Sequence, residues 1–597
     1  LDSGTARGAA PTNLPRSRAL GSVQRILRGS ELAQIAVCAA LGTGVGAAVA
    51  VLRKLVYYLH AVNFSLPAHG YLSAGIGVSQ TAIVVVPFLG AAMLALFGYV
   101  SRRMRAAEIV DPIEANALYG GRLPFGPSMR LTLSTLISNG AGASLGMEAG
   151  YTQFGSAVFS YIGQALRLRR ADQRVFVTSG AAAAIAAAFN APFAGAFYGF
   201  ELISGNYAPR ALAPVAVAAV CGALIQRWIL PYQPLFELHG TMNVSPETYL
   251  LCALLGVAAA GVSIATMRAV TETERWLSKF KVPDLARPFA GAIALSALGL
   301  LLPEVLGSGH GAIQRHLDAP WPWMVLLALL AGKLVASAVS IGSGFRGGLF
   351  SSSLLLGIVL GELFAQAAGF PLPWAGAERE VFMFAGMAAV GAAIIGAPLA
   401  MVFLVLEATG DFPVTVAVLI AASISSTIVR LAFGYSFSTW RFHLRGLAIR
   451  GAHDVGWIAD LTVGRLMRSD PKLVVANVKL RALRELYPPG AAKRLYAVDE
   501  KGNYEGVIDV VSAHDPAIDD ALDGLVAADL CEERDLFLTP GDNVRTALLR
   551  FEELQTEALP VLASRSDPRV IGYLTESYAL KRYTQELEAM RTSEIGG

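Results

Sequence analysis

Ala191-Pro-Phe-Ala-Gly-Ala-Phe-Tyr-Gly-Phe-Glu201 returns 206 residues later as Ala397-Pro-Leu-Ala-Met-Val-Phe-Leu-Val-Leu-Glu407, with Ala, Pro, Ala, Phe and Glu coinciding. About fifty residues before each copy stands a glycine-rich patch, Gly140-Ala-Gly-Ala-Ser-Leu-Gly146 and Gly342-Ser-Gly-Phe-Arg-Gly-Gly348. Small residues recur in any membrane protein, but a shared Ala-Pro and a shared Glu in register argue for duplication. Paired repeats whose apolar segments are broken by glycine at matching places point to a binding site between two halves.

The surroundings fit that reading. Of 597 residues, 54% are hydrophobic and 16% charged, where a soluble globular chain carries about 25% charged residues. Between Glu31 and Leu444 the chain is a series of apolar segments, among them Leu32–Val62, Thr81–Val100, Ala211–Leu230, Tyr249–Val270, Pro288–Leu302, Met324–Ile341 and Val381–Leu406. Several exceed the ~20 residues that cross a bilayer. Others, such as Leu133–Phe159 and Ser343–Gly357, are short and glycine-interrupted. Arginines cluster in the breaks, at Arg102, Arg103 and Arg105 and at Arg167, Arg169, Arg170 and Arg174. The positive-inside tendency turns those loops to the cytoplasm.

The flanks differ in character. Residues through Asn13 are small and polar and lack the apolar core of a secretory signal. Pro15–Gly29 reads as a basic amphipathic helix on the membrane surface, with a solvated arm as the plainer alternative. The expected domains are therefore an arm over 1–30, a transport domain over 31–450 and a soluble tail over 451–597. In the tail, Asp470-Pro-Lys-Leu473 with Ala482-Leu483 matches Asp535-Leu-Phe-Leu538 with Ala547-Leu548 at an offset of 65. Two repeats, over about 463–525 and 526–590, each expect a strand, helix, strand, strand, helix order.

Composition also excludes. A formal net charge of +3 makes no nucleic-acid footprint. Cys38, Cys221, Cys252 and Cys531 read as free thiols, and no metal-ligand spacing joins them to the eight histidines. No His-Glu-x-x-His, Gly-x-Ser-x-Gly or intramembrane aspartate pair supports an enzyme, and no cofactor is expected.

Glu148, in Gly146-Met-Glu-Ala-Gly150, stands where a glycine-rich stretch meets an apolar helix. An intramembrane carboxylate is costly and so a functional candidate by default. At a helix N-terminus it can hold the place that a dissolved anion would take, and accept a proton when it leaves. The plainer alternative is a capping glutamate. Gly347-Gly-Leu-Phe350 leads into a second such terminus, or is a tight packing turn. Glu201 and Glu407 close apolar helices as structural carboxylates, and His310 in Gly307-Ser-Gly-His-Gly311 belongs to loop structure.

These motifs, in their order, resemble the CLC family of anion channels and transporters. Gly146-Met-Glu-Ala-Gly150 is similar to the family's Gly-Arg/Lys-Glu-Gly-Pro gating motif, and Gly348-Leu-Phe-Ser-Ser352 to Gly-x-Phe-x-Pro. Phe189–Gly195, Leu306–Gly309 and Val405–Thr409 also look like family stretches, and the tail is similar to a CBS pair. The resemblance implies an all-α polytopic membrane domain of two inverted repeats with broken helices, followed by an α/β CBS pair. It implies a homodimer in the bilayer, one anion pathway per subunit and cytoplasmic termini, with the cell (inner) membrane as location. By carry-over, Glu148 is the gate, and Gly146, Met147, Ala149, Leu349, Phe350 and Ser438 surround the anion.

Departures matter equally. The arginine and proline of the gating motif are Met147 and Gly150, and the Gly-Ser-Gly-Ile-Pro motif is not recognisable, with Glu108 and Asp111 falling near its serine and proline. The proton-handling glutamate of exchangers aligns with Leu202, leaving Glu201 as a possible relay. The pore tyrosine aligns near Ser438, with Tyr435 or Phe437 close by. Where nucleotide-binding CBS repeats carry an aspartate three positions after a Thr or Ser, Tyr578 follows Thr575, so nucleotide binding to the tail is not supported. The expected function is permeation of an anion, chloride foremost, uncoupled or loosely coupled to protons. The alternatives are a proton-coupled exchanger and a pathway selective for another small anion.

Overall fold

The computed structural model describes residues 30–67, 70–230, 242, 244–444, 461–521, 524–532, 536–554 and 556–595. The amphipathic helix expected over Pro15–Gly29 and the domain boundary expected at 450/451 lie outside the described residues. The chain divides into two compact units, Leu1–Asp454 and Val455–Gly597.

The first unit is helical. Its first half contains α1 (Glu31–Phe64), α2 (Gln80–Arg103), α3 (Pro112–Leu118), α4 (Phe125–Gly140), α5 (Glu148–Ala165), α6 (Arg170–Phe189), α7 (Pro192–Tyr198), a π-helical turn over Gly199–Ser204, and α8 (Pro209–Ile229). Its second half contains α9 (Pro246–Lys279), α10 (Arg287–Leu301), α11 (His310–Asp318), α12 (Trp323–Gly342), α13 (Phe350–Gly369), α14 (Pro373–Ala377), α15 (Arg379–Ile395), α16 (Pro398–Thr409), α17 (Phe412–Ala432) and α18 (Phe437–Leu444). Among the described residues, seven helices are long and apolar enough to cross a membrane. A helix satisfies its own backbone in hydrocarbon, which is why apolar runs of this length take no other form. The run Val381–Leu406 is two helices, because Gly396 takes a left-handed φ of 86° and Pro398 starts α16.

Within each half, small residues let helices pack backbone to backbone. A Cβ on Gly180 of α6 would stand 2.6 Å from the carbonyl carbon of Gly155 on α5. A Cβ on Gly357 of α13 would stand 2.7 Å from that of Gly386 on α15. The two contacts are the same contact in the two repeats, and neither tolerates a side chain.

A buried polar cluster ties three helices of the second half. Glu362 of α13, fully buried, accepts from the Trp321 amide at 2.9 Å and the Arg379 guanidinium of α15 at 3.0 Å, and lies 2.8 Å from Nδ1 of His316 on α11. Removing one member of a buried ionic cluster strands the others and costs about 3–5 kcal/mol. Glu362→Ala should therefore lower the melting temperature of the detergent-solubilised protein well below wild type. An unchanged melting temperature would contradict a structural role for the cluster.

The second unit is an α/β pair of repeats. In the first repeat β1 (Leu473–Val475) pairs in parallel with β2 (Arg494–Val498), which pairs antiparallel with β3 (Tyr504–Asp509). In the second, β4 (Ala558–Leu562) pairs antiparallel with β5 (Val570–Thr575), and the counterpart of β1 shrinks to one parallel bridge, Leu538 to Val561. That bridge sits 65 residues after Leu473 to Tyr496 in both members (538 − 473; 561 − 496).

Candidate functional site

The two glycine patches meet. Gly146 N–H donates to the carbonyl of Gly348 at 2.9 Å, and Gly348 N–H returns to Gly146 at 3.2 Å. Around this bridge the repeats exchange contacts with pseudo-twofold symmetry at an offset of 202. Ser144 N–H donates to Ser340 Oγ at 3.0 Å, and Arg346 N–H donates to Ser138 Oγ at 2.8 Å (346 − 144 and 340 − 138 are both 202). Met147 and Leu349, also 202 apart, carry near-identical dihedrals just before α5 and α13. A helix leaves its first N–H groups without intrahelical partners. Here two such ends are clamped together, and their partial positive charges add at one place.

Glu148 occupies that place. It is the first residue of α5 and only 5% exposed. Its Oε1 accepts from Ser351 Oγ on the first turn of α13, and the backbone N–H groups of Ser351 and of Glu148 itself face the carboxylate. Oε2 is buried with no hydrogen-bond partner among the described residues.

Two cavities approach this carboxylate. A wide one, about 1140 Å³, is bordered by Ala149, Tyr198, Leu349, Phe350 and Ser438, and by arginines that include Arg105, Arg130 and Arg346. A narrow one, about 280 Å³, is bordered by Met147, Arg53 and His310 among others. Among the described residues Glu148 alone borders both.

Of the residues singled out in the sequence, Ala149, Leu349, Phe350 and Ser438 thus lie on the wide cavity and Met147 on the narrow one, while Gly146 forms the bridge. Phe437 and Leu202 also reach the wide cavity. Tyr435 instead pairs its hydroxyl with His443 at 3.1 Å. Asp111 caps α3 by accepting from the Ile113 amide at 2.8 Å, and with Glu108 it borders the wide cavity.

Glu201 and Glu407 form a reciprocal pair. The Glu201 carboxylate accepts from the amides of Leu399 and Ala400, at 3.0 and 2.9 Å, at the start of α16. The Glu407 carboxylate accepts from Phe193 and Ala194, both at 2.9 Å, at the start of α7. All three spacings are 206 (407 − 201, 399 − 193, 400 − 194), so each repeat caps the other's broken helix. Glu201 borders neither cavity.

Sequence reasoning missed three residues of the site: one that touches the carboxylate and two that border its cavities. Ser351 reads as one serine of three in Ser351-Ser-Ser353. Tyr198 sits inside an apolar repeat, yet it is hydrogen-bonded to Thr152 and its ring centroid lies 6.1 Å from that of Phe350. Arg53 interrupts an apolar run and reads as a helix-surface charge. Of the three, Ser351 belongs to the opposite half, and the bridge between the glycine patches brings it to Glu148.

Residues 89–430 match the family model described as voltage gated chloride channel. A Ralstonia nicotianae protein described as like the chloride channel ClcB is 29% identical over 377 residues, covering 62% of this chain and 86% of its own. The voltage-gated ClC-type chloride channel ClcB of Salmonella dublin is 26% identical over 401 residues, covering 66% and 96%. Among solved structures, a slow cyanobacterial Cl−/H+ antiporter superposes with a TM-score of 0.61 at 21% identity, over 69% of this chain and 97% of that one. A eukaryotic CLC transporter superposes at 0.58 and 18% identity, over 93% and 98%. At these identities the superpositions establish the fold alone.

Proposed function

This chain belongs to the voltage gated chloride channel (CLC) family of anion-transporting membrane proteins, and from that premise we propose that chloride crosses by way of the amides around the Gly146–Gly348 bridge, with Glu148 as the gate. The observation that carries this reading is that, among the described residues, Glu148 alone borders both cavities while its carboxylate fills the convergence of two helix N-termini. A carboxylate there competes with an anion for the same N–H groups. When it leaves, its own amide and that of Ser351 join those of Ala149, Leu349 and Phe350 in receiving the anion, and Tyr198 and Ser438 close the side toward the wide cavity. By the positive-inside tendency the wide, arginine-rich cavity faces the cytoplasm and the narrow one faces outward. Both termini are then cytoplasmic, and the cell (inner) membrane is the setting. The working unit is a homodimer with one such pathway in each subunit.

Coupling to protons is loose or absent in this reading. Leu202 cannot carry a proton, Ser438 offers only a weakly acidic hydroxyl, and both oxygens of Glu201 are engaged by backbone donors. The direct test is chloride efflux from liposomes holding purified protein in a potassium salt. Efflux should begin when valinomycin relieves the charge imbalance and should not begin without it. Efflux that ignores valinomycin, or none in either case, would contradict electrogenic anion movement.

A further inference from the structure

The narrow cavity holds a cation that the gate has not been given. Arg53 lies midway along α1, borders the same 280 Å³ as Glu148, and makes no hydrogen bond or ion pair to any described residue. Among the described residues, Glu148 is the only carboxylate bordering that cavity. The other titratable groups there are Tyr57 and His60 on α1, Tyr71, Tyr151 on α5, and His310. None of them supplies a negative charge to Arg53 at neutral pH. Tyr57 and Tyr71 are hydrogen-bonded to each other, His60 Nε2 is 2.7 Å from the Asn139 carbonyl, and His310 Nδ1 is 2.8 Å from Ser308 Oγ. Met147, in the place where the gating motif carries arginine or lysine, borders this cavity too. A guanidinium therefore reaches the outer side of the gate from α1 and not from the motif.

A carboxylate moved off two helix N-termini into a small cavity must find a counter-charge or take up a proton, because an unpaired buried charge is costly. A guanidinium stays protonated at any physiological pH and suits a carboxylate geometrically. We propose that Arg53 is the docking cation for Glu148, receiving the carboxylate still ionised when it leaves the amide site. This rests on Glu148 being the gate, and it deepens that reading: a gate that opens without a proton conducts anions without coupling.

The test is chloride flux into liposomes at symmetric acidic and neutral pH, for wild type, Arg53→Gln and Arg53→Lys, each with Glu148 intact and with Glu148→Ala. With Glu148 intact, Arg53→Gln should cut flux at neutral pH by about tenfold, the size of a lost close charge pair. Acidification should restore it, since a protonated Glu148 needs no cation. Arg53→Lys should keep most of the wild-type flux. In the Glu148→Ala background Arg53→Gln should change little at either pH, and that flux also shows the substituted chain is folded. Equal loss in both backgrounds would overturn the proposal and make Arg53 an attractor of anions from solution. No loss with Glu148 intact would overturn it as well. If Glu148→Ala alone kept the wild-type pH profile, the gate itself would fall, whatever Arg53 did.

Discussion

Glu148→Ala is expected to carry chloride at the same rate in acidic and neutral liposomes, whereas the wild-type rate rises as pH falls. The sign follows from the site. Ionised, the carboxylate is held by Ser351 Oγ and by the first amides of α5 and α13, where an anion would otherwise sit. Protonated, it loses its charge and with it the attraction of two helix N-termini. A single titrating plug can change the rate by at most about tenfold per pH unit, so the wild-type slope should stay within that bound. Glu148→Gln keeps the shape of the protonated acid and should run at the acid-limb rate at every pH. If both variants retained the wild-type response, the titrating group would be another residue and Glu148 a capping glutamate.

Much of this arrangement is legible in the chain, and the limits have physical causes. The duplicated Ala-Pro…Glu stretch and the two glycine patches give the halves, because broken helices need glycine and proline at repeated places. Glu201 and Glu407 read as closing carboxylates, but their partners are amides about two hundred residues away in the opposite repeat. Local spacing has no access to such a contact. The same holds for Ser351, which reaches Glu148 only through the Gly146–Gly348 bridge. Arg53 and Tyr198 are hidden for the opposite reason, since each sits in an apolar run whose periodicity accounts for it without a role. In the tail, the repeat offset of 65 predicts a strand at Leu538 equal to β1, and the structure keeps a single bridge there.

The second large effect concerns protons, and it is read from one reversal potential. In the proposed orientation an exchanger would pass protons from the wide cavity to Glu148, and Leu202, which the family resemblance aligns with the exchangers' carboxylate, borders that cavity. Glu201, the residue before Leu202, is the alternative carboxylate that the sequence offers, and its two oxygens already cap α16. Opening it to protons would break two charge-assisted hydrogen bonds, each worth about 1.5–3 kcal/mol. With opposed chloride and proton gradients across liposomes holding the purified protein, the current should reverse at the potential set by the chloride gradient alone. It should stay there when the pH gradient is inverted. A reversal potential displaced reproducibly by the pH gradient would contradict uncoupled conduction, and Glu201→Gln would then reveal whether that residue carries the protons.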